Sequence, residues 1–154
     1  MLTRRHAFAV FVGAGLSLIT ACSGSPSPGI VELTITTADD INPDGGGRAS
    51  PVVLRVYQLA AGTQFQAADF FQLFEKEAPT LGPDLVAREE TMVTPGDTRK
   101  LTIMLKPNAQ AIGVAASFRD IDHASWRAAM DVPPNKTTKL KVEIKKLQVT
   151  LAKM

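Results

Sequence analysis

Cysteine, histidine and net charge are all scarce in this chain of 154 residues. A single cysteine excludes a disulfide framework and a multi-cysteine zinc site. Of two histidines, His6 stands near the N-terminus, which leaves His123 alone in the body of the chain. The charge surplus is only +2, from 17 Lys and Arg against 15 Asp and Glu, and it belongs to Arg4 and Arg5. From residue 22 onward the chain is neutral, which argues against binding nucleic acid, because phosphate recognition needs a clear basic surplus. The apolar run Ala7 to Ile19 would make about 20 Å of helix against a hydrocarbon core of roughly 30 Å. No other stretch could span a bilayer. With 45% hydrophobic and 21% charged residues, the composition is that of a folded domain, and the length after residue 22 fits one.

The N-terminus divides into a positive head (Thr3-Arg4-Arg5-His6), the apolar run, and Ile19-Thr20-Ala21-Cys22. The first two have the make-up of a signal peptide. The last four resemble the bacterial lipobox, which implies cleavage before Cys22 and lipid on its sulfur and new amine. Several acyl chains on one residue give permanent anchoring, at about 0.8 kcal/mol per buried methylene. Ser23 stands where an aspartate would resemble an inner-membrane retention signal, so the outer membrane is the expected destination. The expected organisation is a signal peptide over 1–21, a lipidated Cys22 with a flexible tether over 22–29, and a folded domain over 30–154.

The body alternates apolar and polar residues with period 2. Val31, Leu33 and Ile35 form one such face, followed by the β-branched run Pro51 to Leu59. Further strands are predicted over Thr98–Leu105, Ala111–Phe118, Trp126–Val132 and Thr138–Ile144. Asp84–Val93 is a weaker candidate, and Glu89 and Glu90 suit it to a sheet edge. Leu147, Val149 and Leu151 are out of phase with the preceding run, so a turn or bulge is needed near Lys145-Lys146. Ala67 to Lys76 instead has helical spacing, with Ala67, Phe70, Leu73 and Phe74 on one face and Pro79 as its stop. About eight strands with a short helical insertion between strands 2 and 3 predict an all-β, two-sheet sandwich.

Catalysis is poorly supplied. His123 and Ser125 are neighbours on one loop with Asp122, an arrangement that cannot converge as a triad, and no nucleophile elbow is present. Gly45-Gly46-Gly47 is not a phosphate loop, since Arg48-Ala49-Ser50-Pro51 leads into a strand. Asp40-x-Asn42-x-Asp44-Gly45 fits the first half of a calcium loop, but Pro51 occupies the place of the bidentate glutamate, and strands flank it. No metal and no cofactor are therefore expected, apart from a covalent lipid on Cys22. Ala38 to Ser50 remains the conspicuous segment, because its 13 residues far exceed the roughly 2–5 of a hairpin loop. It gathers Asp39, Asp40, Asp44 and three glycines around an exposed-looking Ile41. Long loops on rigid frames commonly carry function.

Three stretches resemble the TssJ family, the outer-membrane lipoprotein of the bacterial type VI secretion system. They are Ile41-Asn42-Pro43 through Ser50-Pro51-Val52-Val53-Leu54-Arg55-Val56-Tyr57-Gln58-Leu59, then Phe65 through Phe70-Phe71-Gln72-Leu73-Phe74 to Leu81-Gly82, and Val114 through Phe118-Arg119-Asp120-Ile121 to Trp126-Arg127. The resemblance implies a transthyretin-like sandwich with an extra helix. It also implies a non-catalytic anchor at the outer membrane that binds the periplasmic domain of the inner-membrane protein TssM. The family's binding loop, between its first two strands, maps here to Asp39, Asp40, Ile41, Asn42, Pro43, Asp44, Gly45, Gly46, Gly47 and Arg48.

If strands alternate in direction, connections 1–2, 3–4 and 5–6 emerge at one end. Pro95, Gly96, Asp97, Arg119, Asp120 and Asp122 then become secondary contact candidates. The aspartates would form an acidic rim that attracts a basic patch, with Arg119 and Asp120 as an ion pair inside one turn. The alternative is a periplasmic small-ligand or calcium-binding lipoprotein in which the long loop closes a pocket. Six lysines between Lys136 and Lys153 read most simply as a solvated strand face, with attraction to a membrane surface as the second reading.

Overall fold

The period-2 segments become eight strands in a computed structural model that describes residues 27–154. The expected signal peptide, Cys22 and the tether as far as Pro26 lie outside the described residues. The strands are β1 (Ile30–Thr37), β2 (Val52–Leu59), β3 (Leu85–Val93), β4 (Thr98–Met104), β5 (Ala111–Ala116), β6 (Arg127–Asp131), β7 (Thr137–Lys145) and β8 (Gln148–Lys153). They form two sheets of four, in the orders β4-β1-β7-β8 and β3-β2-β5-β6, so the expected sandwich is the one observed. β3 is an edge strand, as its glutamates suggest. The phase change is absorbed by the tight turn at Lys146-Leu147, across which Lys145 pairs with Gln148.

The two sheets differ in what covers them. Val31, Leu33, Ile35, Leu54, Val56, Ile112, Val114, Leu140 and Val142 meet between the sheets in the main core. The first sheet's other face is polar, and β7 reads as alternating buried and accessible positions. β5, Ala-Ile-Gly-Val-Ala-Ala, is buried at every position because the helical insertion covers its second face. There Tyr57, Leu59, Ala111 and Ala115 pack under Phe65, Leu73 and Leu81. Gly113 makes room for this, since a Cβ on it would stand 3.0 Å from the Phe65 ring and 3.1 Å from Leu59.

The insertion is three short helices where one was expected: α1 (Thr63–Ala67), α2 (Phe70–Glu75) and α3 (Glu77–Leu81). Asp69 breaks the expected run. Its side chain accepts from the Gln72 backbone N–H at 2.8 Å, and the Gln72 side chain accepts from Asp69 N–H at 3.0 Å. This reciprocal capping box starts a new helix. Pro79 does not stop a helix but sits in the first turn of α3, where a missing N–H has no intrahelical partner to lose. Ala67 is exposed, and Phe65 takes the buried place expected of it.

Two strand arginines hold the insertion down. Arg55 donates to the carbonyls of Leu73 and Phe74, pairs with Glu90 at 2.7 Å and lies 4.4 Å over the Phe74 ring. Arg127 donates to the carbonyls of Phe65 and Ala68 and stacks over Trp126. Each guanidinium thus satisfies orphan carbonyls at a helix C-terminus. Buried beneath them is Tyr57, whose hydroxyl pKa is pushed up to about 12 by desolvation.

Candidate functional site

Strand direction decides which loops meet. β1 runs antiparallel to β4 and parallel to β7, while all pairs in the second sheet are antiparallel. The β1–β2, β3–β4 and β5–β6 connections therefore emerge at one end, as expected, and the β7–β8 turn joins them. This fourth member was missed, although the phase change at Lys145-Lys146 had marked a turn there.

Direct hydrogen bonds knit the four. The Thr37 hydroxyl donates to the Thr94 carbonyl at 2.6 Å and accepts from Asp97 N–H at 2.7 Å. Gly96 N–H donates to the Ala38 carbonyl. Pro95-Gly96 makes the tight turn, with Gly96 at φ +72 and the Asp39 carboxylate 2.7 Å from where its Cβ would be. Asn42 is the central link. Its amide donates to the Pro51 carbonyl and its oxygen accepts from Arg119 N–H, both at 2.8 Å, while its own N–H donates to the Lys146 carbonyl at 2.8 Å.

The long loop therefore divides into anchors and a tip. Ile41 is fully buried in the main core and Asn42 is only 3% exposed, which corrects the reading of Ile41 as an exposed contact residue. An isolated large aliphatic residue in a run of Asp, Asn and Gly was the available signal for an anchor. Asp39, Asp40, Gly45, Gly46, Gly47 and Arg48 are exposed, and Pro43 and Asp44 are partly so. Asp44 shapes the tip as its carboxylate accepts from Gly46 and Arg48 N–H and pairs with the Arg48 guanidinium at 3.0 Å. Those bonds, the one from Arg48 N–H foremost, hold its carboxyl below the usual range. The calcium-loop oxygens of Asn42 and Asp44 are thus already engaged by protein donors. Among the described residues no group of three or more His, Cys, Asp or Glu side chains could hold a metal ion.

The rim is mixed in charge, and not the acidic surface expected. Asp44 pairs with Arg48, Asp97 with Arg99 at 2.5 Å, and Lys145 and Lys146 enter from the fourth loop. Asp120 pairs with His123 and not with Arg119, whose charge helps to lower the Asp44 pKa instead. His123 Nδ1–H donates to both Asp120 oxygens, at 2.8 and 3.0 Å. The hydrogen bond to this carboxylate raises the imidazole pKa above its ordinary value. A raised folded-state pKa contributes stability below the unfolded pKa, and that contribution is lost as pH rises through the folded one. An NMR titration of His123 is expected to show the elevation, and Asp120→Asn to remove it. An unchanged titration in that variant would mean the pair does not form in solution.

A two-sheet frame that gathers four hydrogen-bonded loops at one end is a loop-presenting β-sandwich. Residues 30–147 match the model of the family described as Type VI secretion lipoprotein, VasD, EvfM, TssJ, and the chain belongs to that family. It is 33% identical to the type VI secretion lipoprotein TssJ1 of Pseudomonas aeruginosa, with a TM-score of 0.79 over 82% of this chain and 97% of that one. It is 25% identical to Serratia marcescens Lip, a membrane-bound component of the type VI secretion system, with a TM-score of 0.74 over 84% and 98%. A third match, at 27% identity and TM-score 0.67 over 81% and 98%, is to a chain in a structure described as the TssM C-terminal domain, residues 869–1107, from EAEC. No curated protein sequence matches the chain.

Proposed function

We propose that this protein is a non-catalytic adaptor, lipid-anchored through Cys22 to the periplasmic face of the outer membrane, that binds the periplasmic domain of TssM through its four-loop rim. One observation carries the reading. The chain enters β1 at Ile30, beside Met104 and Thr137, whereas the rim begins after Thr37 at the other end of the same strand. Eight residues at about 3.3 Å each put roughly 25 Å between them. A lipid on Cys22 would therefore leave the rim facing the periplasm, where an inner-membrane partner can reach it.

The comparisons support this partner. The EAEC match covers nearly all of a chain shorter than this one, whereas residues 869–1107 of TssM are more numerous than this whole chain. Binding through the rim needs no cofactor, and the mixed charges suit a complementary, fixed orientation more than long-range attraction. Ile41 fills the end of the core beneath the loop, which speaks against a pocket closed by that loop.

The test is a binding titration of the periplasmic domain of TssM against the triple variant Asp40→Arg, Arg48→Ala, Arg119→Glu. These side chains come from two rim loops and leave Ile41 and Asn42 untouched. Binding is expected to weaken at least about a hundredfold, with stability held within about 1 kcal/mol, as for surface changes. Unchanged affinity would remove the rim as the interface.

A further inference from the structure

The end of the sandwich opposite the rim carries its own charge pattern. Gly29 N–H donates to the Pro134 carbonyl, Leu105 N–H to the Gly29 carbonyl, and Ile30 N–H to the Lys136 carbonyl. The β4–β5 and β6–β7 loops are thereby bound to the point where the chain enters. Lys106 and Lys136 lie exposed on those two loops, whereas Lys153 stands higher on the sheet, level with Leu140 and Leu33. Beside the two loop lysines Pro28, Pro107 and Pro134 help to line a shallow, mainly apolar groove of about 310 Å3. The nearby Lys139 pairs loosely with Glu32 at 3.6 Å. The acids of this end, Asp84 and Asp131, sit with the other sheet, on the side of the helical insertion.

We infer that this end is a seat for an anionic phospholipid surface, with Lys106 and Lys136 meeting the headgroups while the rim points away. The inference rests on the anchored-adaptor reading and adds an orientation to it. Two features select a membrane as the occupant. The chain outside the described residues ends at this face, and the residues from Cys22 to Ser27 reach at most about 20 Å. A domain held that close to a bilayer must turn some face toward it. The face at the tether carries two exposed lysines beside an apolar groove, which is complementary to acidic headgroups over an apolar interior. Alternation on a solvated strand accounts for Lys139 and Lys141, but not for lysines on two loops.

The experiment uses residues 23–154 without lipid. Among the described residues the core is complete within this stretch, and the solved relatives consist of little more than the part matched here. Co-sedimentation is measured at low salt with vesicles of phosphatidylglycerol and phosphatidylcholine, and with phosphatidylcholine alone. Each lysine near an anionic surface contributes about fivefold in partition, so Lys106→Glu, Lys136→Glu is expected to lose at least about twentyfold on the anionic vesicles. Lys145→Glu, Lys146→Glu reverses charge at the rim and is expected to lose less than about threefold. No binding to the anionic vesicles, equal binding to both vesicle types, or equal losses in the two variants would each overturn the seat. Binding of the Lys106→Glu, Lys136→Glu variant to the periplasmic domain of TssM is read in parallel. That titration judges the rim, so the two readings fail separately.

Discussion

Asn42→Ala is expected to lower the thermal midpoint by about 10 °C, from a loop far from the middle of the core. Asn42 supplies a side-chain donor to the Pro51 carbonyl and an acceptor to Arg119 N–H, and alanine supplies neither. Two backbone groups from different loops then lose their partners at a site that is nearly closed to water. Each such loss costs about 1–3 kcal/mol. The backbone adds to this, since Asn42 is left-handed at φ +47, a conformation asparagine tolerates and alanine resists by about 1–2 kcal/mol. Discounting for partial access of water, about 3 kcal/mol remains, which at this size shifts the midpoint by roughly 10 °C. Asn42→Gly separates the causes. It keeps the left-handed backbone and loses only the side-chain bonds, so its midpoint falls between those of wild type and alanine. A thermal melt of Asn42→Ala within 2 °C of wild type would mean that the link is not made in solution. For the same reason, removing all of Ala38–Ser50 unplugs the core at Ile41 and cannot serve as a clean test of binding.

Legibility followed the physics of each feature. A strand with one wet face advertises itself by alternation, so β1, β4 and β7 could be placed within a residue or two. The pairing could not, because alternation says which face is buried and not which strand lies alongside. The parallel neighbours β1 and β7 are more than 100 residues apart, and only the closed structure shows them together. In the insertion, Ala67 and Phe70 have helical spacing across the start of a capping box that the spacing ignores. Asp69-Phe70-Phe71-Gln72 is a start signal that was present and overlooked.

The site was partly legible. Loop length marked Ala38–Ser50, and alternating strand direction assembled three of the four rim loops. What composition could not give was the state of each charge. Asp44 and Asp97 count as bare negatives in the sequence, but each faces an arginine two or four residues on. The same limitation hid the roles of Ile41 and Asn42. A hydrophobic residue among aspartates resembles a contact point until the chain is seen to fold back over it.

The helical insertion sets the second large expectation, and it separates stability from binding. Phe65 is fully buried, with its ring 5.2 Å from that of Tyr57 and its edge against Gly113. Phe65→Ala is expected to cost about 4 kcal/mol, through lost apolar burial and the cavity left over β5. Gly113→Ala alone forces a Cβ to within 3.0 Å of that ring, in a strand backed by core on both faces, and costs about 1–3 kcal/mol. Combined, the two changes oppose each other, because the added methyl occupies space the ring has left. The double variant should therefore be more stable than the sum of the single losses by about 1–2 kcal/mol, measured by urea unfolding of all four proteins. Strict additivity would show that Gly113 is not there to admit Phe65. On the proposed adaptor role, affinity for the periplasmic domain of TssM should stay unchanged in whichever variants remain folded, since the insertion covers the outer face of β2 and β5 and takes no part in the hydrogen bonds that join the rim. Asn42→Ala should weaken that affinity at a similar loss of stability, because there the energy lost is what holds the loops in register.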